Sequence, residues 1–328
     1  MSESQPSRHE ESLDEANQRL DRSRTWALVL GGGFLGLLLL CVIAGPLASL
    51  LVQRRESARR ITCANHLREL GMQMETYYNA NDAFPSGWVI SEGAMETIPA
   101  WGWPSQLVSL TNASYPTPND LKTPLGTVSE TGGERLEMLQ EAMDGYLCPS
   151  DNAFTYEGEN HPERRWDPTG TPIPWGLSMY VGNAGHKHDA VGTEPNTGIF
   201  FGNSAITLDE ITDGVSFTVM LGERDLTNCR AGSWPGVPDP MRHDGGPSIW
   251  NVVAGAKPKI NAPPWDGDTL CGEGYSSFHP GGVNMLLVDG AVKFFTDDTD
   301  SQWHDDPKSG QLGVLQQFLV RDNQEEMP

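Results

Sequence analysis

One stretch of the chain breaks sharply from the rest in its pattern of apolar and polar positions. Trp26 to Val52 is a run of 27 residues without a charged side chain, and about 20 apolar residues suffice to cross a hydrocarbon core. The block Phe34 to Ile43 is apolar almost without interruption. This predicts a transmembrane helix over 26–52. Trp26 falls where an interfacial aromatic belongs, and Pro46 falls where a late kink is tolerated. Residues 1–25 are polar, mixed in charge and without a consistent apolar face, which predicts a disordered cytoplasmic tail. A cleaved signal peptide is the rival reading, with Ala44, Gly45, Ala48 and Ser49 as small residues near the end of the run. The long polar lead and the length of the apolar core argue against it.

After the apolar run the period becomes helical. Cys63, Leu67, Leu70, Met74, Tyr77 and Tyr78 recur at spacings of three and four, drawing one apolar stripe down a helix over 53–82. Pro85 ends any continuation. The membrane helix is thus expected to continue into a head that occupies 83–328. In the head, 84–130 reads as loop, Glu134 to Met143 as a short helix, and 155–176 as a polar, Pro-rich loop. Strand signals follow at Leu177 to Val181, Gly198 to Phe201 and Phe217 to Leu221. Val283 to Val288 and Ala291 to Phe295 flank Asp289-Gly290, the pattern of a hairpin with a type I′ turn. The fold class is α+β: a long N-terminal membrane helix packed by its second half on an antiparallel β-sheet head with long loops.

Composition supports that division. The 36 Gly and 24 Pro favour a turn-rich, β-rich body. The net charge is −22, and residues 80–328 carry all of it, because 1–25 and 53–79 cancel. A body this acidic repels phosphate backbones, so nucleic acid is excluded as a partner. Basic partners or divalent cations remain compatible, as does acidity that serves solubility alone. Arginines lie on both sides of the apolar run, so loop charge does not orient it. The polar tail and the cysteines of the body point to an N-in, C-out protein of the inner membrane. Its partners would be the lipid bilayer, a second copy, for which Gly32 and Gly36 offer a small-residue packing pair, or other envelope proteins.

Cys41 lies in the apolar run. Cys63, Cys148, Cys229 and Cys271 lie in the body, and four cysteines in an exported domain suggest two disulfides with three pairings open. Cys63–Cys148 with Cys229–Cys271 is preferred, since the last two bracket one Gly/Pro-rich excursion. No Cys-x-x-Cys occurs, which leaves zinc and thioredoxin-like readings little support.

Several distinctive strings follow one another along the chain. Arg55-Glu56-Ser57-Ala58-Arg59-Arg60 leads to Cys63 and Asn65-His66-Leu67-Arg68-Glu69-Leu70-Gly71; Phe84-Pro85 and Cys148-Pro149-Ser150-Asp151 follow. Tyr180-Val181-Gly182-Asn183-Ala184-Gly185, Ile211-Thr212-Asp213-Gly214 and Gly222-Glu223-Arg224 come next. Last are His279-Pro280-Gly281-Gly282 and Asp289-Gly290. Over about residues 50–297 the set resembles the planctomycete proteins grouped as domain of unknown function 1559, the H-X9-DG family. The resemblance makes His279, Gly281, Gly282, Asp289 and Gly290 the family motif. It implies a type IV pilin-like or pseudopilin-like protein, exported and anchored, with no assigned activity. One departure stands out. The Gly-Phe-Thr-Leu-Ile-Glu lead typical of the family is replaced by Gly33-Phe34-Leu35-Gly36-Leu37-Leu38, without the glutamate. An unprocessed anchor is therefore expected.

No cofactor and no catalytic residue is predicted. His279 and Asp289 invite an acid–base reading, yet a six-residue strand between them separates its ends by about 20 Å. Turn roles for both are the expectation. Asp297, Asp298 and Asp300 offer oxygen ligands suited to Ca²⁺ but lack EF-hand spacing. His186 with His188, or His243 with Asp244, are transition-metal candidates in ordinary loops. Trp88, Trp101, Trp103, Trp175, Trp234, Trp250 and Trp265 sit beside Gly or Pro, either exposed for sugar stacking or buried under loops. Three functions are thus weighed. A structural or interaction protein leads. A carbohydrate- or calcium-binding module follows, and a tethered hydrolase using His243, Asp244 or His279 comes last.

Overall fold

The computed structural model describes residues 8–90, 99–111, 121, 123–151, 165–166, 173–242, 248–263, 271–304 and 312–322. Side chains at 8–18, 27, 31–47, 109, 111, 129–131 and 165–166 are outside that description. The chain divides into two compact units, Met1–Ser57 and Ala58–Pro328.

The first unit is helical from the start of α1 (Arg8–Asn81). Residues 8–25, expected as a disordered tail, therefore belong to a helix. Glu15 lies four positions before Arg19, a spacing that supports helix. The Ser23 and Thr25 hydroxyls donate back to the carbonyls of Leu20 and Asp21 at 2.8 and 2.7 Å. Among the described residues no helix is long and apolar enough to cross a membrane. The heart of the expected span, 31–47, has its side chains outside the described residues, as do Gly32 and Gly36.

In the second unit α1 runs from Ala58 and buries Cys63, Leu67, Leu70 and Met74 completely or nearly so. Tyr77 and Tyr78 pack at the edge of the same core. The helix ends where Asp82 turns left-handed, with φ of 58° and its N–H on the Tyr78 carbonyl at 2.8 Å.

The strands are short. They are β1 (Trp88–Val89), β2 (Ala100–Gly102), β3 (Arg165–Trp166), β4 (Ile173–Pro174), β5 (Leu177–Ser178) and β6 (Tyr180–Gly185). After them come β7 (Val219–Glu223), β8 (Gly232–Ser233), β9 (Gly236–Val237), β10 (Val253–Gly255), β11 (Gly282–Leu287) and β12 (Val292–Thr296). The central sheet has the order β10-β6-β7-β11-β12, antiparallel except for the parallel β10–β6 pair. Small sheets β1-β2-β9, β3-β4 and β5-β8 surround it.

Strand β11 is buried along its whole length and alternates between two cores, as the two-residue period requires. Leu286 joins Leu67, Leu70 and Met74 of α1, while Val283, Met285 and Leu287 join Leu315 and Leu319 of the terminal helix α5 (Val314–Leu319). The sheet is thus sandwiched between α1 and α5. Gly71 makes the approach of α1 close, since a Cβ there would lie 3.2 Å from the Leu286 methyls.

Three expectations are corrected. Gly198 to Phe201 is not a strand but a bend packed on β6, with the Ile199 and Phe200 amides both on the Asn183 carbonyl at 2.9 Å. The stretch 84–130 is not all loop: it holds β1, β2, α2 (Trp103–Thr111) and α3 (Leu125–Thr131), ahead of the expected helix, α4 (Glu134–Gln140). The β11–β12 hairpin closes without a type I′ turn. Only Gly290 has positive φ, 84°, and the Gly290 amide bonds the Leu287 carbonyl at 3.0 Å. That is a right-handed turn followed by one left-handed glycine, a three-residue hairpin loop.

Six of the seven loop tryptophans are interior. Trp88, Trp101, Trp103, Trp175, Trp234 and Trp250 are all buried, and Trp265 lies outside the described residues. The indole N–H groups of Trp88, Trp103 and Trp234 reach the carbonyls of Gly192, Val252 and Glu141 at 2.9, 2.7 and 2.9 Å. These six offer no stacking surface to a sugar.

Candidate functional site

Strand β7 starts apolar, Val219-Met220-Leu221, and ends at Gly222-Glu223, with Arg224 next. Alternation sends Glu223 and Arg224 to opposite faces of the sheet. The β11 register pairs Met285 with Gly222, which sets Asn284 opposite Glu223. The Glu223 carboxylate then accepts from the Asn284 backbone N–H at 2.6 Å and from its side-chain amide at 2.9 Å. His279 Nε2 lies 3.2 Å from the same carboxylate. The turn that leads into β11 brings the histidine there: Ser277 Oγ accepts from the His279 N–H at 3.1 Å and donates to the Gly282 carbonyl at 2.7 Å. Gly281, with φ of 85°, allows the reversal.

Two cysteines complete the cluster. Cys63 comes from the buried stripe of α1 and Cys148 from the segment after the turn Asp144–Tyr146; they are disulfide-bonded with Cα atoms 5.2 Å apart. Cys148 Sγ lies 3.5 Å from His279 Nε2. The Cys63 and Cys148 sulfurs, a Glu223 oxygen and a His279 nitrogen all lie within 4.8 Å of one another, and all four residues are buried. Tyr180 borders the cluster, its hydroxyl donating to the Cys63 carbonyl at 3.3 Å beside His66 Nδ1, also at 3.3 Å. Burial pushes the Tyr180 phenol well up, and the charges of Glu223 and Glu69 add to the effect.

A family model described as protein of unknown function (DUF1559) matches residues 53–302. The chain belongs to that family. No curated protein and no solved structure matches it.

In this DUF1559 chain the two ends of the H-x9-D-G string do different work. His279 is not merely a turn residue, as the sequence suggested, because its ring enters the core. Asp289 stays at the exposed hairpin, where its carboxylate accepts from the Ala291 N–H at 2.9 Å. Asp289→Ala is therefore expected to cost only about 1 kcal/mol, the worth of one local hydrogen bond. Thermal unfolding would check this, and a loss above about 3 kcal/mol would mean that Asp289 acts on more than its own turn.

The remaining candidates are dispersed. Asp297 accepts from the Asn261 side chain at 2.6 Å, and Asp300 accepts from the Val314 N–H at the start of α5 at 3.4 Å. Among the described residues Asp297, Asp298 and Asp300 do not form a metal-ligand cluster. His186 Nε2 meets the His304 carbonyl and its ring stacks on Trp303, whereas His188 pairs with Glu273 at 3.0 Å. His243 and Asp244 lie outside the described residues. The second disulfide joins Cys229 to Cys271, so both bonds follow the preferred pairing.

Sequence reading missed Glu223 as a site residue. The available signal was a pair of charged residues closing a strand otherwise made of Val, Met and Leu. The Glu223 and His279 side chains are closed to solvent, at 2% and 0% exposure. That closure fits a structural or ligating role.

Proposed function

We propose that this DUF1559 protein is a pilin-like envelope protein, anchored through its N-terminal helix and displaying an extracytoplasmic head with a structural or interaction role. One observation carries the reading. A disulfide, Cys63–Cys148, fastens α1 to the β-rich head eleven residues beyond the uncharged run that ends at Val52. Such bonds persist in oxidising compartments, and a 27-residue uncharged run is long enough to span a bilayer. The helix-on-sheet packing supports the pilin-like form. The closure of the Glu223–His279 pair supports a role without catalysis.

The test uses the chain in its own membranes. Wild type is expected in the carbonate-washed pellet. Leu37→Arg with Leu40→Arg is expected to move it to the supernatant, since each mid-span arginine costs about 2.5–3.5 kcal/mol of insertion. Alkylation without reductant should mark only Cys41, and alkylation after reduction should mark all five cysteines. Wild type in the supernatant, or five reactive thiols before reduction, would sink the reading.

A further inference from the structure

We infer that the Cys63–Cys148 bond covers a latent, closed site for a zinc-like divalent cation, formed by Cys63, Cys148, Glu223 and His279 when the bond is reduced. The inference goes beyond the envelope role and does not depend on the anchor. A tetrahedral zinc centre has Zn–S of about 2.3 Å and Zn–N and Zn–O of about 2.0–2.1 Å. Its ligand atoms are then separated by about 3.5 Å for S···N, 3.4 Å for N···O and 3.8 Å for S···S. Cys148 Sγ is already 3.5 Å from His279 Nε2, and His279 Nε2 is 3.2 Å from Glu223 Oε1. All four ligand atoms lie within 4.8 Å of one another, and the two sulfurs must separate by rotation of side chains whose Cα atoms stand 5.2 Å apart.

The surroundings suit a ligand set. Asn284 holds the Glu223 carboxylate through its backbone N–H and its amide, as outer-shell donors orient a ligating carboxylate. The ligands come from four places in the fold, α1, the segment at Cys148, the end of β7 and the turn before β11, so a bound cation would cross-link what the disulfide cross-links and more. A dication with two thiolates, one carboxylate and a neutral imidazole leaves a single negative charge, which the Asn284 donors face.

The conversion balances. A dithiol reductant supplies two electrons and two protons and becomes a disulfide. Cys63 and Cys148 become thiols, and their protons go to solvent as the thiolates bind the cation. The bridge is then a two-state lock, covalent when oxidised and metal-held when reduced.

The test is an anaerobic titration of Co²⁺ into the full chain in detergent, with and without prior phosphine reduction. The expected result is one Co²⁺ per reduced chain, with the intense visible bands of a tetrahedral thiolate site, displaced by Zn²⁺ and absent from the oxidised chain. Bound metal should slow alkylation of Cys63 and Cys148 at least about 10-fold while leaving Cys229 and Cys271 reactive. His279→Ala should abolish the bands, and Asn284→Ala should weaken binding by about 10- to 100-fold. If reduction unfolds the chain, Zn²⁺ must restore the near-ultraviolet dichroism. Failure to restore it would overturn the inference. So would a reduced chain that binds no cobalt, bands that survive both His279→Ala and Glu223→Gln, or protection that falls on Cys229 and Cys271.

Discussion

Replacing Cys63 and Cys148 together by alanine is expected to destabilise the head by about 3–5 kcal/mol, visible as a lower urea midpoint with a steeper slope, since the unfolded chain expands once the link is gone. The bond closes a loop of 85 residues. Loop-closure entropy for that length is about 4.6 kcal/mol at 25 °C, and native strain or residual structure in the unfolded chain lowers it. Both sulfurs are buried beside Met179, Leu226 and Ala231, so truncation also opens space that this small core cannot easily refill. The second bond spans 42 residues, and the same arithmetic gives about 4.0 kcal/mol. The two double variants should therefore differ by well under 1 kcal/mol if chain entropy alone decides. A distinctly larger loss for Cys63/Cys148 would locate the excess in the packing of α1 on the sheet. A loss below about 1 kcal/mol would show that the helix stripe holds without the bond, and that the bond is not the fastening between helix and head.

The helix stripe was legible because its cause is local: Cys63, Leu67, Leu70 and Met74 are one face of one helix, and that face is the buried one. The β11–β12 hairpin was legible for the same reason, with Asp289-Gly290 between two apolar runs. Its turn subtype was not, because Asp-Gly serves two hairpin geometries and the choice depends on which residues turn left-handed. The region 84–130 hid its elements because they are short and complete themselves at a distance. Ala100 and Trp101 pair with Val237 and Gly236, and no local period announces such a partner. The tryptophans beside Gly and Pro read either as exposed or as buried under loops, and the structure shows six of them filling a core beneath loops. Glu223, His279 and Asn284 converge only through sheet register and a turn, across 56 and 61 positions of sequence. The disulfide pairing was within reach because Cys229 and Cys271 bracket one Gly/Pro-rich excursion, which left Cys63 to Cys148.

Arg224→Ala is expected to cost about 4 kcal/mol, and Arg224→Met about 2–3 kcal/mol, both read from urea midpoints at neutral pH. The residue is fully buried, with Nε on the Gly274 carbonyl at 2.8 Å, Nη1 on Trp250 at 2.5 Å and Nη2 on Val253 at 2.9 Å. One planar fork thus gathers the end of β7, the start of β10 and the segment after Cys271, a geometry that lysine cannot copy. Two effects oppose each other. Desolvation pushes the guanidinium down to about 10, with Tyr275, Glu273 and Asp225 working against that shift. A folded value below the unfolded one means that its charge opposes folding at neutral pH, a penalty that fades only above about pH 10. The carbonyl bonds work the other way, and removing the fork strands three buried acceptors at about 1–3 kcal/mol each. The acceptors win in alanine, which also leaves a cavity, whereas methionine fills the space and sheds the desolvation cost. The order wild type, methionine, alanine in falling stability is therefore the result to look for. A methionine variant as stable as wild type would show that desolvation fully offsets the three bonds, and that Arg224 is kept for something other than stability.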